Sequence, residues 1–312
     1  MLGIRYALLQ GGMAWLGTSE LVAAVSEAGG LGIIGSGNAP PEWLREQITA
    51  TRQLTNKPFG VNIMLMSHFT EENLKVVTSE NVKIVTFGGG NPGSIIPNLR
   101  KNNITIIPVV SSVALARRLE KAGADALVAE GTEAGGHVGD TTTMALVPQV
   151  VDAVKIPVIA AGGIADGRGL IAALALGAQG VQMGTRFICS DECIAHPAFK
   201  QYIIEAHDRA TTVSGRTTGH PARSLENRFT REFTQKEKEC CSAEELYEIS
   251  KNKLREGVLE GNIVNGSLMA GQISGSIKEV LPVKDIINNT IVQAEEIIRD
   301  FCKSARENNI NG

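Results

Sequence analysis

The sequence predicts an α/β protein, namely a (β/α)8 TIM barrel with a smaller C-terminal cap domain. Three observations support this prediction. Eight short apolar runs occur within the first 185 residues. The runs are almost continuously apolar, as expected of strands buried on both faces, and they alternate with stretches of helical character. An open doubly wound sheet is the structural alternative, and the count of eight favours the barrel.

The predicted strands are spread evenly along this first part of the chain. In order they are YALLQ (6–10), LGIIG (31–35), FGVNIM (59–64), KIVTF (83–87), TIIPVV (105–110), ALVAE (126–130), PVIAAG (157–162) and GVQMG (180–184). The helix candidates between them include SELVAAVSEAG, SVALARRLEKAG, LVPQVVDAV and GRGLIAALALG. Several of these end in glycine, the usual left-handed stop of a helix.

The alternation of strands and helices fails after Thr185. Residues 187–209 indicate a helix, and the turn-rich stretch TTVSGRTTGHPARSLENRF follows it. A charged helical stretch lies around residues 234–261, and an amphipathic helix from Lys278 onward is expected to return to the barrel. We therefore predict three parts, which are the barrel (1–204), a smaller substrate or cap domain (205–275) and a C-terminal helix (276–312).

Composition and charge narrow the classes of function. The 312 residues are 43% hydrophobic and 20% charged, which suits a soluble protein with a substantial core. The formal net charge of −3 argues against a general nucleic-acid surface. No apolar run reaches the roughly 18 to 20 residues of a membrane span, and MLGIRYALLQGGMAW lacks a signal peptide's cleavage pattern. We expect a cytoplasmic protein without nucleic-acid or membrane partners.

The five cysteines do not suggest a disulfide framework, because their number is odd and their positions are scattered. Reduced thiols of a cytoplasmic protein are expected instead. Cys189 and Cys193 are four residues apart and could share a helix face. Since no histidine pair lies nearby, buried thiols are favoured over a metal site, and no metal is predicted.

Glycine and polar residues follow the predicted strands at what would be one rim of the barrel. In this fold the ligand site lies at the C-terminal ends of the strands. Glycine there lets the backbone approach a ligand closely. The rim segments are residues 10–13, 35–38, 62, 88–91, 130–137, 161–166 and 182–185.

The ends of the last two predicted strands indicate a phosphate site. AAGGIADG places glycines just ahead of a helix N-terminus, and QMGTRF supplies Gly184 and Thr185 beside it. Barrel enzymes commonly bind phosphate here through backbone N–H groups and a helix dipole. No Walker A motif or dinucleotide GxGxxG in a βαβ context occurs. The phosphate is therefore expected to belong to a mononucleotide such as FMN or to a sugar-phosphate substrate.

His137 is the candidate catalytic residue. It lies beyond the end of a predicted strand, among glycines that keep the loop open, and a histidine pKa near neutrality suits proton transfer. His196 and His207, in the helical stretch after the barrel, suit a structural role. Glu130 and Glu133 could position a cofactor, although a solvated loop carboxylate is the simpler interpretation of Glu133.

Several motifs carry a resemblance to a known family. They are QGGMAW (10–15), GGLGIIGSGNAP (29–40), PFGVNIMLM (58–66), AEGTEAGGHVG (129–139), IPVIAAGGIADGRG (156–169), GVQMGTRF (180–187), SGRTTGHPAR (214–223) and NGSLMAGQISG (265–275). Together they resemble the nitronate monooxygenase/2-nitropropane dioxygenase superfamily of FMN-dependent barrels. Within that superfamily the chain most closely resembles the flavin-type enoyl-[acyl-carrier-protein] reductase II group.

The resemblance implies an FMN site at the rim. The phosphate would lie at Gly163, Gly184 and Thr185, and His137 would be the catalytic residue beside the flavin ring. The cofactor-binding residues that the resemblance implies are Gly11, Gly12, Met13, Asn62, Glu130, Gly135, Gly136, Gly162, Gly163, Gln182, Met183, Gly184 and Thr185.

The implied reaction is the last step of the fatty-acid elongation cycle. NADH or NADPH reduces FMN, and reduced flavin delivers hydride to the β-carbon of a trans-2-enoyl thioester on acyl carrier protein. His137 would polarise the thioester carbonyl or help to protonate the α-carbon. The resemblance further implies a homodimer and, in some members, a monovalent cation activator. A basic docking patch could comprise Arg216, Arg223, Arg228 and Arg231, although a solvated face is the simpler interpretation of each.

Three other functions stay open at this point. In a nitronate monooxygenase, His137 would act as a base on an alkyl nitro compound, and reduced flavin would meet O2. The barrel motifs do not separate that activity from the reductase, but SGRTTGHPAR and MAGQISG favour the reductase. A non-catalytic flavin-binding module would need no proton-transfer group at the ring. A sugar-phosphate isomerase on the same barrel would be colourless.

Overall fold

The computed structural model describes the backbone of residues 1–310 and the side chains of residues 1–304. The last two residues of the predicted C-terminal segment, 276–312, lie outside the described residues. Among the described helices, none combines the length and the apolar character needed to cross a bilayer.

Eight parallel strands form the barrel. They are β1 (Leu8–Gln10), β2 (Gly32–Gly35), β3 (Phe59–Met64), β4 (Ile84–Gly88), β5 (Thr105–Val110), β6 (Leu127–Glu130), β8 (Val158–Ala161) and β9 (Gly180–Met183), while β7 (Gly136–His137) belongs to a second sheet. Their order in the sheet is β1-β9-β8-β6-β5-β4-β3-β2. A parallel bridge between Leu9 and Leu31 joins the two ends of this order. The (β/α)8 prediction is confirmed, and the open-sheet alternative is wrong.

The strands are apolar throughout because both of their faces are buried. Leu9, Ile33 and Val128 fill the interior of the barrel. Leu8 and Ile34, one residue away, pack between the sheet and the helices. Successive residues of a strand face the barrel interior and the helices in turn, because side chains alternate along a strand with a period of two. Since both environments are apolar, the sequence of each strand is continuously apolar.

Seven helices connect consecutive strands around the outside of the barrel, and the short α8 follows the last strand. They are α1 (Ser19–Glu27), α2 (Pro41–Leu54), α3 (Thr70–Ser79), α4 (Ile96–Arg100), α5 (Val113–Ala122), α6 (Thr143–Ala153), α7 (Gly167–Ala175) and the short α8 (Thr185–Ile188). Helix α5 shows how sequence sets the bounds. The Ser112 side chain accepts a hydrogen bond from the Leu115 N–H at its start, and Gly123 ends it with φ +99°.

The C-terminal part adds a hairpin and further helices. Its elements are α9 (Pro197–Ile204), β10 (Thr211–Ser214), β11 (Ala222–Leu225), α10 (Arg228–Lys238), α11 (Ala243–Ser250), α12 (Lys253–Val258), a short 3-10 helix (Gln272–Ser276) and α13 (Val283–Ile310). β10 and β11 are antiparallel, and β11 also pairs with β7. Helix α13 packs against α7 and α1, so the C-terminal helix does return to the barrel. The division into domains at residues 204 and 275 stays a prediction.

Two predictions about the region after the barrel were wrong. No single helix covers residues 187–209, because α8 ends at Ile188 and α9 begins at Pro197, a residue type that is favoured at the first position of a helix. Cys189 and Cys193 therefore do not share a helix face. Their thiols are nevertheless buried, at 0% and 3% exposure, and burial raises both pKa values. The turn-rich stretch that follows forms the β10–β11 hairpin.

Candidate active site

A cavity of about 610 Å³ opens at the C-terminal ends of the barrel strands. Of the fourteen predicted site residues, thirteen line it. These are Gly11, Gly12, Met13, Asn62, Glu130, Gly135, Gly136, His137, Gly162, Gly163, Gln182, Gly184 and Thr185. The structure therefore brings these residues together from five of the strand ends that the sequence indicated, those of β1, β3, β6, β8 and β9.

Met183 is the predicted site residue that does not line the cavity. Successive residues of a strand face opposite sides, so Gln182 points to the mouth of the barrel while Met183 points outward. The Met183 side chain is 1% exposed and packs in the core layer under the helices. Only its carbonyl oxygen borders the rim, where it accepts a hydrogen bond from the Gly11 N–H at 2.9 Å.

Glycine is required at two rim positions because neighbouring segments of the chain come too close to leave room for a side chain. A Cβ at Gly12 would lie 2.2 Å from the Cβ of Asn62, so the loop after β1 lies directly against β3. A Cβ at Gly135 would lie 2.6 Å from the carbonyl carbon of Ala270. The loop after β6 is thus covered by the C-terminal NGSLMAGQISG segment, which forms part of the cavity wall.

The backbone around His137 is held by the C-terminal hairpin. In the antiparallel register of β7 and β11, His137 lies opposite Ala222 and Gly136 lies opposite Arg223. The Arg223 side chain is 6% exposed, and its Nε donates a hydrogen bond to the Thr132 carbonyl at 3.0 Å. The loop that carries the imidazole is therefore a paired strand rather than a free barrel loop.

The environment of His137 favours its neutral form. Burial is the larger cause that lowers the pKa of this imidazole, and the neighbouring His220 lowers it further. His220 also lines the cavity, and reasoning from sequence did not single it out. A lone histidine in a turn-rich stretch gives no signal of its own, and only its place within SGRTTGHPAR could have indicated it.

Glu130 ends β6 and lines the cavity with a half-buried side chain. Burial raises the pKa of its carboxyl to about 7. Within the part of the chain that the structure describes, no protein group donates a hydrogen bond to this carboxyl. Around neutral pH it can therefore carry a proton and donate a hydrogen bond to a ligand.

Glu133 also lines the cavity, but its carboxylate serves the fold. It accepts hydrogen bonds from the Thr143 N–H at 2.9 and 3.0 Å, and the Thr143 hydroxyl lies 2.9 Å from it. This carboxylate therefore ties the loop after β6 to the start of α6. It is not the solvated loop carboxylate that the sequence suggested.

The loops after β8 and β9 present free backbone donors to the cavity. The N–H groups of Gly163, Ile164, Gly184 and Thr185 find no protein acceptor among residues 1–310, and all four residues line the cavity. Gly163 has φ +73°, a conformation that glycine adopts without strain. Such a set of unpaired N–H groups is suited to an anion such as phosphate.

The N-terminus of α7 does not supply the donors that the sequence suggested. The Asp166 side chain accepts hydrogen bonds from the N–H groups of Arg168 and Gly169, at 3.0 and 3.3 Å. The Gly167 N–H is bound by the Gln293 side-chain oxygen at 2.8 Å. Because the first turn of the helix is already capped, the anion donors belong to the loops alone.

Large apolar side chains make up much of the cavity lining, and we call this set of residues the apolar wall. It is formed in part by residues that lie after the barrel in sequence, so the C-terminal region shapes the pocket. A cavity with a few polar groups and a wide apolar wall is typical of sites for cofactors and organic substrates. The apolar residues are Leu16, Met64, Met66, Val109, Leu115, Ile188, Leu254, Val258, Met269 and Ile273.

The four arginines considered as a docking patch do not all face solvent. Arg223 is buried against the loop after β6, as described above. Each of the other three lies beside an acidic side chain, which supports the solvated-face interpretation. The pairs are Arg216 with Asp140 at 2.7 Å, Arg228 with Glu232 at 2.7 Å and Arg231 with Glu226 at 3.2 Å.

Comparison with known proteins places relatives across almost the whole chain. A family model described as nitronate monooxygenase matches residues 1–75 and 67–293. A protein of Staphylococcus saprophyticus named probable nitronate monooxygenase is 34% identical, over 96% of this chain and 97% of its own. The structure of FabK from Thermotoga maritima is 50% identical with a TM-score of 0.95, and the match covers 97% of each chain. Nitroalkane oxidase from Streptomyces ansochromogenes is 29% identical with a TM-score of 0.87, over 96% of this chain and 98% of that one.

Proposed function

The chain belongs to the nitronate monooxygenase family, and from this premise we propose that it is an FMN-dependent enoyl-[acyl-carrier-protein] reductase. The proposed reaction converts trans-2-enoyl-ACP to acyl-ACP with NADH or NADPH as the reductant. The family identifies an oxidoreductase, while the substrate and the reductant are part of the proposal.

The observation that carries the proposal is the position of the two C-terminal motifs. The hairpin that contains SGRTTGHPAR pairs with the strand of His137. In the NGSLMAGQISG segment, the Gly271 N–H donates to the Thr185 hydroxyl at 2.9 Å, and the Gln272 N–H donates to the Glu133 carbonyl at 2.9 Å. The sequence features that favour the reductase are thus built into the cavity wall. The 50% identity to FabK of Thermotoga maritima supports the same choice.

The residues present fit FMN. Its phosphate would be held by the free N–H groups of Gly163, Ile164, Gly184 and Thr185. The rim glycines let a flat ring lie against backbone, and the Glu130 carboxyl can donate to a ring acceptor. When bound, FMN supplies the hydride chemistry between NAD(P)H and the enoyl β-carbon.

The protein's own contribution to the reaction centres on His137. A neutral imidazole with one N–H can donate a hydrogen bond to the thioester carbonyl and so stabilise negative charge that develops on its oxygen. One well-placed donor of this kind is worth roughly 3 to 4 kcal/mol. The apolar wall would hold the acyl chain away from water, which keeps the carbonyl and the imidazole in a medium of low polarity.

Nitronate monooxygenase activity is the second candidate. Relatives from Staphylococcus saprophyticus and Staphylococcus aureus are named probable nitronate monooxygenase, and the lowered pKa of His137 leaves the imidazole able to accept a proton from an alkyl nitro compound. The cavity would serve both reactions. A homodimer, a monovalent cation activator and a cytoplasmic location stay predictions from the sequence.

Two measurements on the purified protein test the proposal. The visible spectrum should show a flavin, and the cofactor released by heating should co-elute with FMN, whereas a colourless protein that takes up no FMN would refute the flavin assignment. NAD(P)H oxidation should then depend on crotonyl-CoA or an enoyl-ACP under anaerobic conditions. Fast O2 uptake on a nitronate without enoyl-dependent turnover would favour the second candidate.

A further inference from the structure

Helix α13 contacts the start of α7 directly behind the loop that joins β8 to α7. The Gln293 side-chain oxygen accepts a hydrogen bond from the Gly167 N–H at 2.8 Å, across 126 positions of sequence. A Cβ at Gly167 would lie 2.5 Å from the Ala294 nitrogen and 2.7 Å from the Thr290 carbonyl, so the two helices touch along their backbones. A distant glutamine thus binds the one N–H group of this first turn that the adjacent Asp166 leaves uncapped.

This contact fixes one end of residues 162–166, which we name the anion loop. At the other end, the Gly162 carbonyl lies 3.0 Å from the Thr143 hydroxyl, which also contacts Glu133. Between these anchors, Gly163 and Ile164 present their free N–H groups to the cavity. The direction of those two donors therefore depends on where both ends of the loop are held.

We propose that Gln293 is a positioning residue for the anionic end of the bound cofactor, acting through Gly167 on the anion loop. The proposal rests on the proposed FMN site, because it needs a phosphate at these donors. Loss of the acceptor would leave the Gly167 N–H unpaired and would free the end of the loop, so part of the binding energy would go into ordering it. The contacts that β3 and β6 would make with a flavin ring do not pass through Gly167, so the effect should be specific to the phosphate.

The test compares FMN with riboflavin, which has the same ring and no phosphate. Both are titrated into the full-length protein from which flavin has been removed. Gln293→Met keeps the length of the side chain and removes the acceptor, while Gln293→Glu keeps an acceptor oxygen.

We expect Gln293→Met to raise the Kd of FMN about tenfold, which corresponds to about 1.4 kcal/mol. The Kd of riboflavin should change less than about twofold, and Gln293→Glu should recover most of the discrimination. Glu295→Met, at an exposed position of the same helix, is the matched control and should leave both affinities unchanged.

Equal weakening of FMN and riboflavin in Gln293→Met would overturn the proposal, because it would show general damage to the fold. Unchanged affinity for both ligands would overturn it too. Circular dichroism and thermal melts check that each variant is folded, and Gln293→Ala provides a second variant without the acceptor if Gln293→Met does not fold. A wild-type protein that binds riboflavin as tightly as FMN would instead contradict the proposed phosphate site itself.

Discussion

His137 lies opposite Ala222 in an antiparallel pair of strands, so the candidate catalytic imidazole sits on a strand that the C-terminal hairpin completes. The Val138 N–H donates to the Pro221 carbonyl at 3.0 Å and extends this pairing. Loops are generally more mobile than the elements that they connect. Here the hairpin holds the loop after β6 from the side, so the position of His137 depends on residues 211–225.

The first prediction concerns His137 itself. His137→Ala should keep the flavin spectrum, because the backbone donors and the glycines stay in place. It should lower kcat/KM for enoyl reduction roughly 10²- to 10³-fold, the usual effect of removing one polarising or proton-transferring group. Steady-state assays with crotonyl-CoA measure this effect. His207→Ala, at an exposed histidine, is the control, and unchanged turnover in His137→Ala would remove the role proposed for the imidazole.

The second prediction concerns the pair of histidines in the cavity. His220 is the smaller of two causes that lower the pKa of His137. His220→Gln should therefore raise the pKa of His137 toward its ordinary value, while burial keeps it below that value. The imidazole C–H signals in an NMR titration follow this change. His207→Gln should leave the His137 titration unchanged, and an unshifted titration in His220→Gln would show that the two rings do not interact.

Glu130 gives a prediction about stability and pH. Its folded pKa of about 7 lies above the ordinary value of 4.5. The folded state therefore binds this proton more tightly than the unfolded state does, and stability from this group is lost as the pH rises from about 4.5 to about 7. Glu130→Gln cannot ionise. The free energy of unfolding of this variant, minus that of wild type, should thus be larger at pH 8 than at pH 4.5, by up to about 3 kcal/mol.

Urea unfolding of the flavin-free protein at the two pH values measures this difference. Glu71→Gln, which removes an exposed carboxylate, controls for the change in net charge. The same stability difference between Glu130→Gln and wild type at both pH values would show that this carboxyl is not perturbed.

Gly135 tests the contact between the loop after β6 and the C-terminal segment. In Gly135→Ala the new methyl group would lie 2.6 to 2.8 Å from backbone atoms of Ala270 and Gly271. These backbone atoms cannot rotate out of the way as a flexible side chain could. We expect a loss of about 1 to 3 kcal/mol in the free energy of unfolding, together with weaker FMN binding. Gly88→Ala is the control for stability, since the nearest side-chain atoms would be 3.9 Å away. Equal stability of the two variants would contradict the close contact.

The barrel could be predicted from sequence because its strands are buried on both faces. FGVNIM, for example, is β3 to the residue. The β10–β11 hairpin could not be predicted in the same way. The first strand of the hairpin, TTVS, is half-buried throughout. The third strand of the same sheet is β7, which pairs with β11 and has only two residues. Neither segment leaves an apolar pattern that would mark it as a strand.

The rim of the cavity could be predicted because a barrel brings the ends of its strands together. The direction of each side chain at the rim could not be predicted. Met183, for example, points away from the cavity although Gln182 lines it. The capping of α7 was also beyond prediction, because Gln293 reaches Gly167 from a helix far along the chain. Long-range hydrogen bonds of this kind have no local sequence signature.

In the proposed function, reducing equivalents pass from NAD(P)H to an enoyl thioester in this cavity. The most direct test is an anaerobic reaction of the wild-type flavoprotein with NADH or NADPH and crotonyl-CoA, with the thioesters analysed by mass spectrometry. We expect one butyryl-CoA for each NAD(P)H oxidised, and little product with His137→Ala. An unchanged crotonyl-CoA pool, with rapid O2 consumption when the same protein is given an alkyl nitronate in air, would contradict the proposed function.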